Sequence, residues 1–442
     1  FTNKLPVFWK LNYSLPRFCK MSTKFKEYKG LDLPKLGEEI LDFWKEQHVF
    51  EQSISIREGA TPFVFFEGPP SANGLPGIHH VMARAIKDIF CRYKTQKGFK
   101  VDRKAGWDTH GLPIELGVEK QLGITKEDIG QKISVEEYNA ACRKAVMRYT
   151  DVWNDLTQKM GYWVDMEDPY ITYEPKYMES VWWLLKQIYN KKLIYKGYTI
   201  QPYSPKAGTG LSSHELNQPG TYQDVTDTTV VAQFKAVENT LPDFLKNEGT
   251  IYFLAWTTTP WTLPSNTALT VGPKIEYVLV ETFNQYTFEP TKVILAKKLV
   301  GKQFGGRNNF EVTSLDELNT YNAGDKKIPF RVLKECIGSD LVDIKYEQIL
   351  DYCLPNDNPE DAFRVISGDF VTTEDGTGIV HTAPTFGADD AIVAKQATPE
   401  IPPMLVKDEN DNLVPLVDLQ GKFRPEVGEF AGKYVKNEYY KD

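Results

Sequence analysis

Two adjacent histidines follow a turn-forming segment in the first quarter of the chain. His79 and His80 come directly after Gly77 and Ile78 in the stretch GLPGIHHVMARAIKD, and six histidines serve all 442 residues. Imidazole nitrogens donate hydrogen bonds, transfer protons or bind metals. The pair predicts either a phosphate-binding or catalytic site, or a helix start whose histidines contact only water.

A run of threonines and a distant histidine form the second candidate set. Residues 257–259 are all threonine in LAWTTTPWTLPSN, and His381 and Asp390 follow far downstream in EDGTGIVHTAPTFGADD. Threonine suits strands, and Pro260 can end one, so the run alone is typical of a strand end. A histidine after an apolar strand is most often structural. A pocket is indicated only if the fold brings these segments together.

The paired histidines need a strand, a loop and a helix to hold them. The apolar run at 62–68 predicts a buried strand. Apolar residues recur at helical spacing from Ile78, which predicts a helix to about Lys97 that ends at Gly98. A second strand is predicted within 99–111. This order is a βαβ unit whose first loop faces a ligand, and the helix N-terminus behind that loop favours phosphate.

The rest of the chain divides into a stretch with helical patterns and a stretch with strand patterns. A helical face is predicted around 36–44, and residues 134–195 are predicted to be mostly helical, with capping-box spacing from Ser134 to Glu137. After about residue 213, short β-rich runs alternate with turns, which indicates a second, mainly β domain. These runs are TTVVAQF, TIYFLAWTTT and EYVLVETF.

Composition limits the class of protein. The chain is 41% hydrophobic and 25% charged with a net charge of −8, which is typical of a globular protein of two or three domains without a global basic field. The basic cluster at 84–104 is predicted to be a solvated helix face. Five scattered cysteines without a C-x-x-C pair indicate a reducing, cytoplasmic location rather than a zinc ribbon or a disulfide framework. No apolar run is long enough to span a membrane.

The segments FEGPPSANGLPGIHH and YKTQKGFKVDRKAGWDTHGLPIE resemble the N-terminal half of the class I aminoacyl-tRNA synthetases, and among them the isoleucyl type. The ten-residue block at 106–115 makes this resemblance specific. It implies an α/β fold, with the first half of a Rossmann-type catalytic domain and a β-rich, barrel-like inserted editing domain. The expected domains are a leader at 1–20, either a transit peptide or a non-native segment, then 21–212 for the N-terminal helix and catalytic half, and 213–442 for the insert.

The resemblance also implies a reaction and its binding residues. Isoleucine and ATP, with Mg²⁺, would form an aminoacyl-adenylate, and the aminoacyl group would pass to tRNA(Ile). Pro70 and Asp108 would bind the amino acid, with Asp108 holding its α-ammonium, unless Asp108 is a loop residue that bonds its own backbone. His110 is equally compatible with a supporting or a structural role. The ATP site would consist of Gly68, Pro69, Pro70, Asn73, Gly77 and His80.

The family's His-x-Gly-His tetrapeptide is altered in this chain. With the flanking motifs aligned without a gap, Gly77 stands where the family has its first histidine, and His79 stands where it has glycine. The final histidine, His80, is kept and would donate to the phosphoryl oxygens. We expect His79 either to take over the missing imidazole's role, made possible by the flexible Gly77, or to obstruct the approach of the adenine.

The threonine run and the distant histidine resemble the editing pocket of isoleucyl- and valyl-type synthetases. Isoleucine and valine differ by one methylene, which a pocket discriminates by only about 1–3 kcal/mol, and isoleucyl-tRNA synthetases are the established example of this limit. A second site would hydrolyse Val-tRNA(Ile) with a positioned water and substrate assistance. The resemblance implies that this site is formed by Thr257, Thr258, Thr259, Asn266, His381 and Asp390.

Several expectations concern what the chain lacks. The Lys-Met-Ser-Lys-Ser loop of the family is absent, and the similar string at 20–24 is interpreted as a coincidence. The chain is therefore expected to be a monomeric N-terminal fragment that does not activate isoleucine alone and whose insert can retain deacylase activity. No structural zinc is predicted. The alternatives are a valyl-type synthetase, which the block at 106–115 disfavours, a non-synthetic nucleotide-binding or regulatory paralogue, and a free-standing editing hydrolase.

Overall fold

A computed structural model describes residues 30–66, 68–197, 199–306 and 308–436. The predicted leader at 1–20 and the string at 20–24 lie outside these residues. The chain separates into two compact units, one ending at Ile194 and the other beginning at Tyr195. The division lies before the boundary proposed at 212/213, and residues 199–203 line a cavity together with the threonine run of the second unit.

The described part of the first unit is mainly helical. Its two strands are parallel, with Trp107 paired to Ile171, and the chain between them forms three of the helices. The strands are β1 (Lys104–Trp107) and β2 (Asp165–Ile171); the helices are α1 (Leu33–Glu46), α2 (Val49–Ser55), α3 (Ile78–Gln96), α4 (Leu112–Leu122), α5 (Val135–Val146), α6 (Thr150–Lys159) and α7 (Pro175–Asn190).

Local sequence signals account for several of these helix ends. The chain leaves α3 through Gly98, whose φ of +94° is accessible mainly to glycine. At the start of α5, the Glu137 amide donates to Ser134 Oγ at 3.2 Å, and the Ser134 amide donates back to the Glu137 carboxylate at 3.1 Å. The predicted helix near 36–44, the helix after Ile78 and the capping box are confirmed.

One prediction for the first unit is wrong. The described residues of 62–68 do not form a buried strand: their pairing is limited to one parallel bridge between Pro62 and Lys100, and Val64 and Phe66 are 65% and 92% exposed. An apolar run predicts burial only if other elements cover it, and no described residue pairs with 64–66. The stretch 134–195 is mostly helical, as predicted, and it also contains β2, which forms through non-local pairing with β1.

The core of the first unit lies beneath the loop at 68–77. Trp153 is 1% exposed and packs with Ala72 and Trp107, flanked by Tyr149 and Ile171. This cluster joins the loop, the end of β1 and helix α6. Packing of Ala72 against Trp107 and Trp153 therefore supports the candidate loop.

The described part of the second unit is β-rich, as predicted. Its largest sheets have the strand orders β10-β11-β8-β9-β6-β5 and β12-β7-β13. The strands are β3 (Tyr203–Ser204), β4 (Thr209–Gly210), β5 (Val230–Lys235), β6 (Tyr252–Thr257), β7 (Ala268–Val271), β8 (Glu276–Phe283), β9 (Pro290–Ala296), β10 (Asn309–Glu311), β11 (Ile328–Ile337), β12 (Arg364–Ser367), β13 (Ile379–Thr382), β14 (Val406–Lys407) and β15 (Leu413–Val414); the helices are α8 (Ser213–Leu216), α9 (Val300–Phe304), α10 (Leu315–Leu318) and α11 (Ala388–Gln396).

The main hydrophobic core of the second unit joins its two largest sheets. Phe253 of β6 and Leu279 of β8 belong to the same buried cluster as Leu269 of β7 and Ile379 of β13. Burying such side chains is the dominant favourable term in folding. The core therefore holds the end of β6, with its threonines, close to β13, which carries His381. In the described parts of both units, no helix is long and apolar enough to cross a membrane.

Candidate functional sites

The loop at 68–77 is held in place by three hydrogen bonds to its backbone carbonyls. The carbonyl of Pro70 accepts from the Asp108 amide at 2.9 Å, and that of Ala72 accepts from the Tyr149 amide at 3.1 Å. The carbonyl of Gly74 accepts from the indole N–H of Trp153 at 2.9 Å. These bonds attach the loop to β1 and α6 and leave Gly68 and Asn73 exposed to solvent.

His80 lies in the first turn of α3 with a defined hydrogen pattern. Its Nδ1 accepts from the Gly77 amide at 2.9 Å, so the hydrogen of the neutral ring is on Nε2. The ring packs edge-on against Trp153 with centroids 4.7 Å apart. Burial, followed by repulsion from His79 and Arg84, lowers the pKa of His80. The side chain is thus a neutral N–H donor at the N-terminus of a helix.

His79 is exposed and stays close to its neighbours. Its ring centroid is 3.8 Å from that of His80, and the ring also lies against Gly77. The pair does not simply project into water, because both imidazoles gather around the N-terminus of α3. Gly77 and His80, which were predicted to bind ATP, are thus adjacent in space to His79, which was predicted to be catalytic.

Asp108 follows the carboxyl end of β1 and is exposed. Its Oδ1 is 3.4 Å from the His110 amide, a long contact of the Asx-turn kind, so Asp108 contacts its own backbone while its carboxylate stays exposed. The neighbouring Thr109 amide donates to Thr172 Oγ1 at 3.0 Å, and His110 Nδ1 lies 3.1 Å from the same hydroxyl. His110 therefore supports the loop through Thr172.

Gly106 begins this block for a steric reason. A β-carbon at Gly106 would overlap the ring of Tyr170, its partner on β2. A larger residue at position 106 would therefore displace the Tyr170 ring, which lies over this glycine.

The basic cluster at 84–104 is only partly a solvated face. Arg84 and Arg103 are each 8% exposed, which contradicts that prediction for these two side chains. Arg84 lies over the Trp153 ring at 4.9 Å, and Arg103 donates to Thr95 Oγ1 at 2.8 Å. Long cationic side chains bury readily against aromatic faces, so their charge alone does not predict exposure.

The second candidate site is a cavity of about 910 Å³ within the second unit. The predicted residues that line it come from three elements of the chain: the end of β6, strand β13 and the first turn of α11. Asn266 is not part of the lining and is buried behind it. The lining includes Thr257, Thr258, Thr259, His381 and Asp390.

The threonines turn sharply at the end of β6. The Thr259 amide donates to Thr257 Oγ1 at 3.0 Å, which stabilises the turn before the 3₁₀ helix Pro260–Ser265. Strand β6 ends at Thr257, three residues before Pro260, which begins the 3₁₀ helix instead of ending the strand as predicted. The strand-end interpretation and the pocket interpretation therefore both apply to this run.

His381 is buried in the cavity wall at 7% exposure. Its Nδ1 is 2.8 Å from Asn266 Nδ2, and its Nε2 is 2.9 Å from Thr262 Oγ1. Burial lowers the pKa of His381 to about 4. The ring is therefore neutral near pH 7 and acts as a wall rather than as a positive charge.

Asp390 lies in the first turn of α11, where the helix dipole favours an anion. Its Oδ2 accepts from the Ala383 amide at 2.9 Å. Burial raises the pKa of this carboxyl group, opposed by that hydrogen bond. An ammonium ion in the cavity would remove the desolvation cost of the carboxylate.

The structure adds residues that the sequence analysis did not identify. Trp261 lines the cavity and packs edge-on against Phe386, with centroids 4.9 Å apart. Thr262 forms a hydrogen bond with His381 in the wall, and Tyr346 forms one with Asn266 behind it. Trp261 and Thr262 belong to the quoted LAWTTTPWTLPSN motif, so their proximity was a usable signal. Tyr346 carried none.

No group of three or more His, Cys, Asp or Glu side chains suited to a metal ion occurs among the described residues. The four cysteines within them, Cys91, Cys142, Cys336 and Cys353, form no disulfide bonds.

A family model described as tRNA synthetases class I (I, L, M and V) matches residues 39–375. The isoleucine–tRNA ligase of Bacteroides fragilis is 61% identical over 435 residues, covering 95% of this chain and 37% of its own length. That of Cytophaga hutchinsonii is 62% identical over 419 residues, covering 95% of this chain and 36% of its own length. The chain thus spans little more than a third of these relatives.

Similarity to solved structures is weak. The P. knowlesi cytosolic leucyl-tRNA synthetase editing domain aligns with 39% of this chain and 63% of its own, at 14% identity and a TM-score of 0.26. A score of that size does not indicate a shared fold.

Proposed function

Because the chain belongs to the class I tRNA synthetase family (I, L, M and V), we propose that it carries part of an isoleucine-activating site and a complete hydrolytic editing site. The substrates are isoleucine, ATP with Mg²⁺, and tRNA(Ile). The first unit is the first half of a Rossmann-type domain, and the second is a barrel-like editing insert. The isoleucine–tRNA ligase names of the two relatives support isoleucine over the valyl alternative.

One observation carries the editing proposal. Residues 257–259, His381 and Asp390, which are distant in sequence, line a single cavity of about 910 Å³. The cavity offers hydroxyl groups, a neutral imidazole wall and a carboxylate, and it has room for an aminoacylated adenosine. A Ser/His/Asp triad is not needed, since a positioned water can attack the ester.

In the editing reaction, Asp390 binds the α-ammonium of a misplaced valyl group. The hydroxyl groups of Thr257, Thr258 and Thr259 bind the terminal ribose and hold a water molecule at the ester carbonyl. Attack by water forms the new C–O bond, the ester C–O bond to the ribose breaks, and the ribose oxygen takes the proton. His381 limits the size of the side chain that enters.

In the activation reaction, the isoleucine carboxylate attacks the α-phosphorus of ATP and pyrophosphate leaves. No enzyme nucleophile is required, so catalysis consists of positioning and charge stabilisation. The Nε2–H of His80 donates to the phosphoryl oxygen on which charge develops. Asp108, next to Pro70, binds the α-ammonium of isoleucine. The loop carrying Gly68, Pro69 and Asn73 contacts the nucleotide.

His79 takes the place of the family's first histidine in this scheme. Its ring lies against Gly77, the position that this histidine occupies in the family. Together with His80 it presents two imidazoles at the N-terminus of α3, where phosphate is favoured.

Deacylation of Val-tRNA(Ile) tests the editing proposal. The protein is expected to release valine from Val-tRNA(Ile), and Asp390→Ala is expected to reduce the rate at least about a hundredfold because the ammonium loses its fixed anion. Asp389→Ala is the matched control, because Asp389 is exposed and does not line the cavity. Equal rates for the protein and the Asp390 variant would remove Asp390 from the site.

A further inference from the structure

Four buried side chains, two in the cavity wall and two behind it, form a continuous line of hydrogen bonds. The Tyr346 hydroxyl is 2.6 Å from Asn266 Oδ1. Asn266 Nδ2 is 2.8 Å from His381 Nδ1, and His381 Nε2 is 2.9 Å from Thr262 Oγ1. All four residues are less than a tenth exposed. Because little of each side chain is exposed, its donors and acceptors are paired mainly within the line.

A backbone carbonyl fixes the direction at one end. Asn266 Nδ2 is 2.8 Å from the carbonyl oxygen of Ala268, which can only accept. The amide nitrogen must face that carbonyl, so the amide oxygen faces Tyr346. The Tyr346 hydroxyl must then donate to Asn266.

A second backbone carbonyl fixes the other end. Thr262 Oγ1 is 2.8 Å from the carbonyl oxygen of Thr259, to which it donates its one hydrogen. It must therefore accept from Nε2–H of His381. The second hydrogen of Asn266 Nδ2 points at Nδ1, 2.8 Å away, because the other acceptor within reach, the Thr382 carbonyl, is 3.4 Å away; Nδ1 must therefore be bare. Both ends independently require the Nε2–H tautomer of a neutral His381.

We propose that Tyr346 is a positioning residue of the editing site, which acts through Asn266 to hold the His381 ring in one tautomer and one orientation at the cavity wall. The inference rests on the editing function proposed above. His381 lines the cavity and Tyr346 does not. The hydroxyl of Tyr346 thus positions a side chain of the cavity wall without contacting the cavity itself.

The substitution Tyr346→Phe removes the hydroxyl and tests its effect on Asn266. In Tyr346→Phe, Asn266 Oδ1 is buried without a donor, and a buried acceptor without a partner is unfavourable. The side-chain amide is then held only through its nitrogen, by the Ala268 carbonyl and Nδ1 of His381, so its bond to Nδ1 loosens. The aromatic packing of Tyr346 against Phe234 and Phe363 is retained by phenylalanine, so the substitution isolates the hydroxyl.

Nitrogen NMR of ¹⁵N-histidine-labelled protein reads the tautomer directly, and His381→Gln assigns the signals. The unmodified protein is expected to show the Nε2–H pattern for His381. Tyr346→Phe should move both ring-nitrogen signals away from that pattern, because Asn266 no longer holds Nδ1 in place as tightly. It should also lower kcat for Val-tRNA(Ile) deacylation about tenfold, with KM changed by less than about twofold.

Tyr277→Phe is the matched control for a general loss of stability. Tyr277 is equally buried in the second unit, and its hydroxyl donates to the Gly378 carbonyl at 2.6 Å, outside the line from Tyr346 to Thr262. This variant should unfold at a lower temperature and keep the His381 signals of the unmodified protein. A purely structural Tyr346 would behave in the same way.

Two results overturn the proposal: an Nδ1–H pattern in the unmodified protein, or unchanged His381 signals in Tyr346→Phe. If that variant does not fold, Asn266→Asp replaces it, because a carboxylate can only accept and must reverse the tautomer to Nδ1–H; retention of Nε2–H then contradicts the proposal. Absence of Val-tRNA(Ile) hydrolysis in the unmodified protein defeats the editing function instead, and the NMR result still tests the line of hydrogen bonds.

Discussion

The imidazole of His79 occupies the space into which a side chain at Gly77 would extend. A β-carbon on residue 77 would lie 2.8 Å from Cε1 and 2.9 Å from Nδ1 of His79, closer than such atoms normally approach. The absence of a side chain at Gly77 is therefore what allows His79 to fold back over the start of α3. The two departures from the family's tetrapeptide compensate each other sterically.

The first prediction follows from this exchange of positions. His79→Ala in the full-length protein should reduce ATP–pyrophosphate exchange about a hundredfold, the usual cost of losing one donor to a developing phosphoryl charge. The effect should fall on kcat more than on KM for isoleucine. Unchanged exchange would show that His79 does not contribute to activation.

A swap of the two positions is the sharper control. Gly77→His alone should reduce exchange, because the new side chain collides with the His79 ring. Adding His79→Gly restores the family's order of residues and should recover most of the activity. If the double variant is no better than Gly77→His, the steric exchange is the wrong explanation.

The second prediction concerns the indole of Trp153. Trp153→Phe keeps an aromatic ring beside His80 and loses the hydrogen bond to the Gly74 carbonyl. The loop at 68–77 should loosen, so KM for ATP should rise several-fold and the free energy of unfolding should fall by about 1 kcal/mol. ATP-dependent exchange kinetics and urea unfolding measure the two effects.

Trp163→Phe is the matched control for that experiment. The Trp163 indole N–H has no hydrogen-bond partner, and its ring packs against Arg92 at 4.0 Å, away from the loop. This variant should lose stability without a change in KM for ATP. A similar rise in KM for both variants would mean that the Gly74 bond is not the cause.

The third prediction tests how Asp108 is held. Thr172→Val removes the hydroxyl that accepts from the Thr109 amide and leaves that buried N–H without a partner, at a cost of about 1–3 kcal/mol. The loop after β1 should shift, and KM for isoleucine should rise while KM for ATP changes less. Thr172→Ser retains the hydroxyl and should restore both values; if it does not, packing of the methyl group is responsible.

The local features of the fold were predictable, and the features that depend on covering elements were not. The end of α3 at Gly98 and the cap at Ser134 follow from one residue's conformational freedom and one pair of side chains. The failure at 62–68 has a different origin, since an apolar run carries no information about whether another element packs on it. Strand β2 was missed because its pairing with β1 is non-local.

The second candidate site shows the same limit. Residues 257–259, His381 and Asp390 were identified through a resemblance, and the structure places them around one cavity. The contact between Tyr346 and Asn266 links residues 80 positions apart, and it depends on how the loop after β11 meets the start of β7. No motif or periodicity encodes that meeting, so Tyr346 emerged only from the coordinates.

The fourth prediction is a pH dependence of stability caused by His381. Its pKa is lowered to about 4 in the folded protein, from 6.5 when unfolded, so the unfolded chain binds a proton in that window and the folded chain does not. The contribution of His381 is therefore present above pH 6.5 and is lost as the pH falls towards 4, by up to about 3 kcal/mol. Asp390, whose pKa is raised, acts in the opposite direction, and it is present both in the unmodified protein and in the variant His381→Gln.

Urea unfolding at pH 7 and pH 5 measures the effect. The unmodified protein should lose more stability between these pH values than His381→Gln. Parallel pH profiles for the two proteins would mean that the folded protein protonates His381 as easily as the unfolded chain does. That result would contradict an Nδ1 that carries no hydrogen and accepts from Asn266.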